Sequence, residues 1–167
     1  MANVLILRSV NTGDHDIKTG YATVELENGF GVALGEVSAE RATRNAYAVA
    51  APASADDIVG LVYNADVAFL TDANGGVYKG IVSDPRNIKF SAKTPVNIWI
   101  PAENAEIAMT EVTGTADGAT HVVYKTGSMK PTYATSAEGA VLAFKITGKK
   151  YVSIGADRVP TVEMIRV

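Results

Sequence analysis

The sequence predicts an all-β fold, a sandwich or barrel-like unit with little helix, and three observations carry that expectation. Short apolar segments alternate with a period of two along most of the chain, the spacing that sends successive side chains to opposite faces of a strand. Gly, Asn, Asp and Pro punctuate these segments at short intervals, as turn formers do between strands. Apolar stripes at three- and four-residue spacing, the mark of an amphipathic helix, are almost missing.

Taken in order, residues 4–10 alternate weakly and predict a first strand. Residues 11–20 (NTGDHDIKTG) are rich in turn formers and predict an exposed loop. Residues 21–27 set Ala22, Val24 and Leu26 against Tyr21, Thr23 and Glu25. Asn28-Gly29 follows, a strong signal for a type I′ hairpin turn, with residues 30–37 as the returning strand. Residues 38–46 are the best helix candidate, with Ser38 as N-cap, although no apolar stripe supports it. Residues 47–51 read as extended and 51–57 (APASADD) as a surface connection. Residues 57–63, 67–70 and 77–82 predict short strands, the last two separated by an Asp72–Gly76 turn. Asp84-Pro85-Arg86-Asn87 marks a seam.

The strongest stretch is residues 90–113, FSAKTPVNIWIPAENAEIAMTEVT. Val96, Ile98 and Ile100 fall on one face and Asn97 and Trp99 on the other, bracketed by Pro95 and Pro101, which are tolerated at strand ends. Residues 102–105 read as a turn and 106–113 as a returning strand, so a central hairpin is expected to anchor the second half. Beyond a loop at 114–119, strands are expected at 121–125, 141–147 and 151–154, with 127–138 irregular and a turn at Gly148-Lys149. A last strand begins at Val159 or Thr161.

A chain of 167 residues suits one well-buried core, or two small β lobes meeting at the seam, 1–86 and 87–167. Its 47% hydrophobic and 20% charged content is that of an ordered globular protein. The net charge of −3, without a basic run, argues against a nucleic-acid partner. No apolar stretch approaches the roughly 20 residues of a spanning helix, so no membrane partner is expected. The opening MANVLILRSV lacks the marks of a signal peptide and predicts synthesis in a cytoplasm. The absence of cysteine removes disulfides, thiolate metal sites and cysteine nucleophiles together.

The search for chemistry returns weak signals. Asp14-His15-Asp16 offers oxygen and nitrogen donors to a divalent ion, yet three polar loop residues are more often simply solvated. Asp72-Ala-Asn-Gly-Gly lacks the acidic twelfth position of a calcium loop. Gly29-Phe-Gly31-Val-Ala-Leu34 lacks the third glycine of a dinucleotide fingerprint. Ser128 and Lys130 lack the wider motif of a Ser–Lys nucleophile. The acidic pairs Asp56-Asp57 and Glu103/Glu106 show no sign of converging on a sugar as glycosidase carboxylates must. Trp99 is the natural platform for a carbohydrate, and equally suits a second core or a subunit contact. No catalytic residue, metal or cofactor is expected, and the chain reads as a non-enzyme.

Several quoted segments carry a family resemblance. FSAKTPVNIWIPAENAEIAMTEV, THVVYKTGSMKPTYATS and AVLAFKITGKKYVSIGADRVPTVEMIRV resemble, in the order of their features, the auxiliary head (capsid decoration) proteins of tailed bacteriophages. ENGFGVALGEV followed by NAYAVAAPA resembles their opening. The likeness spans most of the chain and rests on pattern, with no ligand signature. It implies a structural virion protein on the outer capsid surface that bridges major capsid protein subunits and stabilises the shell, often as a homotrimer. Strand addition to a sheet edge or docking of a terminal arm would then place Leu5, Leu7 and His15 at the capsid and leave Trp99 as an interface aromatic. Two alternatives stand beside it: a phage tail, baseplate or fibre-like β-module, and a soluble carbohydrate-binding or hydrolytic β-domain.

Overall fold

The computed structural model describes residues 2–9, 17–39, 45–64, 67–71, 77–81 and 85–167. They form thirteen strands in all. The first seven are β1 (Leu5–Ser9), β2 (Ile17–Tyr21), β3 (Gly31–Val37), β4 (Tyr47–Ala50), β5 (Val59–Val62), β6 (Val67–Thr71) and β7 (Val77–Ile81). A 3-10 turn at Pro85–Asn87 follows, then β8 (Val96–Trp99), β9 (Glu106–Met109), β10 (His121–Tyr124), β11 (Thr132–Ala134), β12 (Leu142–Ile154) and β13 (Asp157–Arg166). The all-β class expected from the alternation is the class observed.

The strands build a closed five-stranded barrel, β2-β4-β3-β5-β8, and a six-stranded sheet, β1-β9-β13-β12-β10-β11, with β6 and β7 paired as a separate ribbon. Membership of the two large units does not follow the seam at residue 86. β1 joins the sheet beside β9, and β8 closes the barrel between β2 and β5.

The expected central hairpin is therefore not formed. β8 pairs only with barrel strands and β9 only with β1 and β13, so residues 100–105 carry the chain from one unit to the other. The alternation of β8 was legible because both its faces are used. Val96 and Ile98 fill the barrel with Leu26, Val32, Val49 and Val62. Trp99 points the other way, into the sheet core with Leu61, Ile107, Tyr124, Phe144 and Met164. The barrel lumen is full: a Cβ on Gly20 or Gly60 would lie 2.7 or 2.5 Å from Ile98, well inside contact distance.

Three other expectations are corrected. Residues 22–27 are not a strand; Leu26 makes an isolated bridge to Phe90 and drops its side chain into the barrel. Asn28-Gly29 does turn, with Phe30 N–H donating to the Glu27 carbonyl at 3.2 Å. Only Gly29 takes a positive φ, 81°, which is type II geometry and not type I′. Gly148-Lys149 is not a turn either. β12 runs through it, and a bulge between Ile146 and Gly148 absorbs one extra residue. The expected helix at 38–46 and the turn at 72–76 lie largely or wholly outside the described residues.

Candidate functional site

β12 and β13 are longer than the sheet that holds them. Residues 142–145 of β12 pair with β10, and 162–165 of β13 pair with β9. Beyond the bulge, residues 148–154 of β12 pair with 157–163 of β13, and past Val162 the two strands leave the sheet as a two-stranded ribbon. A two-residue loop, Gly155-Ala156, closes it. Gly155 alone takes positive φ there, 59°, the arrangement of a type II′ hairpin turn that matches the natural strand twist.

Opposed residues of an antiparallel pair share a face, which sorts the ribbon's side chains. Lys150/Thr161, Val152/Val159 and Ile154/Asp157 lie on one face; Lys149/Val162, Tyr151/Pro160 and Ser153/Arg158 lie on the other. The first face is turned toward the body. Ile154 is buried, and Asp157 accepts a hydrogen bond from the Arg86 guanidinium at 2.7 Å. Nearer the root, Arg8 makes a two-pronged pair with Glu163 at 2.8 and 3.1 Å, a fork geometry that resists rotation. The ribbon is thus braced from behind at both ends.

The second face is exposed. Tyr151 is 57% accessible, with the Arg158 guanidinium 4.3 Å from its ring centroid, a cation–π stack that holds both groups flat. At the root this face runs into a groove of about 240 Å³ lined by Thr110, Ala116, Tyr133, Lys149, Lys150, Tyr151, Pro160, Thr161 and Val162. Burial, and then the charge of Glu111, push the Tyr133 phenol above its ordinary pKa, so it remains a hydroxyl donor at neutral pH. The groove offers apolar surface, two tyrosines and two lysines. It is equipped to hold a side chain or a peptide segment and carries no nucleophile with its base.

Two other depressions are polar. One of about 340 Å³ is lined by Asp117, Lys125, Tyr133, Ser136 and Glu138, and one of about 320 Å³ by Asn3, Glu27, Phe30, Glu111 and Lys130. Among the described residues no group of three His, Cys, Asp or Glu gathers as metal ligands would. Ser128 accepts from the Lys130 backbone N–H at 3.2 Å, which closes a local turn. Asp57 accepts from the backbone N–H groups of Ala53 and Ser54 at 2.7 and 2.9 Å, so it closes a turn.

No family model, curated protein or solved structure matches the chain.

The residues singled out from the sequence do not converge. Leu5 is 6% exposed and packs in the sheet core, with Leu7 half-buried against it, so these side chains help hold β1 to β9. Trp99 is 3% exposed; wedged between barrel and sheet, it is a core residue and not an interface aromatic of this chain's surface. His15, with Asp14 and Asp16, lies outside the described residues. The ribbon was missed because its strands were split at Gly148. A signal was present: Lys145, Lys149, Lys150 and Arg158 stand against Asp157 alone within residues 145–158.

Proposed function

We propose that this chain is a structural virion protein that sits on the outside of a bacteriophage capsid and bridges major capsid protein subunits, as a homotrimer and without catalysis or a cofactor. The resemblance of its feature order to capsid decoration proteins motivates the reading. The observation that carries it is the braced ribbon. Two ion pairs and a buried Ile154 fix its back, while its front presents an exposed aromatic–cation stack. A rigid element bearing Tyr and Arg on its free face is what a protein-docking surface uses, because such groups bury area at low entropic cost. Leu5 and Leu7 pack on the sheet core, so the side-chain contacts proposed for attachment are those of the ribbon.

Quantitative mass spectrometry of purified DNA-filled particles tests the proposal. A copy number comparable to that of the major capsid protein is the expected result. A handful of copies per particle would transfer the chain to the tail or baseplate, and none at all would remove it from the virion. The carbohydrate alternative loses its platform with the burial of Trp99.

A further inference from the structure

The ribbon differs in charge from the rest of the molecule. Residues 148–161 hold Lys149, Lys150 and Arg158 against Asp157, a net of two positive charges, while the whole chain carries −3; the remainder therefore carries five net negative charges. Asp157 is already paired with Arg86. Among the described residues no carboxylate pairs with Lys149, Lys150 or Arg158. Unpaired cations concentrated on an exposed element of an acidic protein are open to an outside anion.

Resting on the decoration reading, we propose that the exposed face of the ribbon, Lys149, Tyr151 and Arg158 with the groove at its root, is the capsid-docking site and receives an acidic segment of the major capsid protein. Carboxylates of that segment meet the Lys149 ammonium and the free edge of the Arg158 guanidinium, whose plane Tyr151 already orients. An apolar side chain of the same segment enters the 240 Å³ groove between Tyr133, Pro160 and Val162. A protein segment fits better than a nucleic acid. A duplex would bring its phosphates against a body of five net negative charges, whereas an acidic patch of limited extent engages the ribbon alone. The cations are also divided by the register between two faces: Lys149 and Arg158 lie on one, and Lys150, which reaches the groove as well, on the other. A phosphate track needs them aligned, while a cation flanking a stacked aromatic is the make-up of a protein hot spot. The opposite signs of ribbon and body also favour one orientation of approach to an acidic shell.

The test is co-sedimentation of the purified protein with expanded capsids stripped of it, across a salt series. Three proteins are compared: wild type, the double reversal Lys149→Glu/Arg158→Glu, and the control Lys93→Glu/Lys145→Glu, which makes the same charge change away from this face. Circular dichroism checks that each is folded, and Tyr151→Ala, at an exposed position, supplies a variant without charge change. Expected is salt-sensitive binding of wild type and control, weakened roughly tenfold or more in the double reversal and in Tyr151→Ala. Wild-type binding retained by both face variants would overturn the docking site and leave the decoration reading standing. Failure of the wild type to bind capsids at any salt would remove both. Tighter binding of wild type to a fluorescent DNA duplex than to capsids, lost in the double reversal, would overturn the acidic-protein partner.

Discussion

Tyr124 stands at the back of the sheet core with no exposed surface, edge-on to Phe144 at 6.4 Å between ring centroids. Its hydroxyl donates to the Gly29 carbonyl at 2.7 Å, so a side chain of the sheet satisfies a backbone group of the loop that enters the barrel. Tyr124→Phe keeps the packing and leaves that carbonyl without its partner. A loss of about 1–2 kcal/mol in urea unfolding is expected, with little change in the m-value. Burial also raises the Tyr124 phenol well above its ordinary 10.0. Below pH 10 the group is neutral folded or unfolded and its contribution is fully present. Above that the unfolded chain ionises first, so stability must fall as pH rises further. Wild type should lose stability more steeply than Tyr124→Phe in alkaline unfolding curves; parallel curves would count against the assignment. Asp57 has the opposite sign. Backbone N–H groups of Ser54 and Ala53 hold its carboxyl below the usual value, so what it contributes is present at neutral pH and lost as pH falls through that lowered value. Asp57→Asn should flatten the acid limb of the stability profile, as followed by circular dichroism.

At the scale of elements, β8 and β12 separate what a sequence discloses from what it does not. The alternation Val96, Ile98 against Trp99 was legible because each face meets apolar neighbours, and a period of two is a local property. Which strand lies alongside is not local. Nothing in NIWIPAENAEI distinguishes a hairpin from a crossing between two sheets, because residues 100–105 suit either. The buried positions could be read, and the pairing could not. In β12 the glycine that suggested a turn is the residue that follows a bulge, and such an insertion leaves the apolar rhythm broken just as a turn would. The candidate site shared this fate, since Lys149, Tyr151 and Arg158 become one surface only when β12 and β13 are known to be paired in register. The ribbon itself permits a direct check. Asp157→Ala removes the tip's ion pair with Arg86 while leaving the core strands untouched. Faster amide exchange confined to residues 150–160 is expected, with unchanged global stability within about 0.5–1 kcal/mol, as the exposed side of that pair implies. Uniform acceleration across the sheet would show that the ribbon is not braced locally.

The whole molecule is held together by an exchange of strands. β1 pairs with β9 across about a hundred residues of chain, with Leu5 opposite Met109. β8 closes a barrel whose other four strands all precede residue 63. Neither large unit can be completed by one half of the sequence. A fragment spanning residues 1–86 lacks Val96 and Ile98, the two side chains that fill the barrel from β8. A fragment spanning 87–167 lacks Leu5, Val59 and Leu61 on the sheet core. Burial of each such side chain contributes about 1.5–3 kcal/mol, so either cut removes an amount comparable to the roughly 5–15 kcal/mol that stabilises a domain. The two fragments made separately should therefore show no cooperative thermal transition. In the second, Trp99 emission should be red-shifted to that of a solvated indole, because Leu61 is no longer there to cover the ring. Mixing them should restore the blue-shifted emission and the β-sheet circular dichroism, slowly and with second-order kinetics, since long-range pairings close late. A fragment 87–167 that unfolds cooperatively on its own with a buried Trp99 would mean that the sheet is autonomous and β1 a dispensable edge. The exchange would then be a matter of connectivity, with no part in stability.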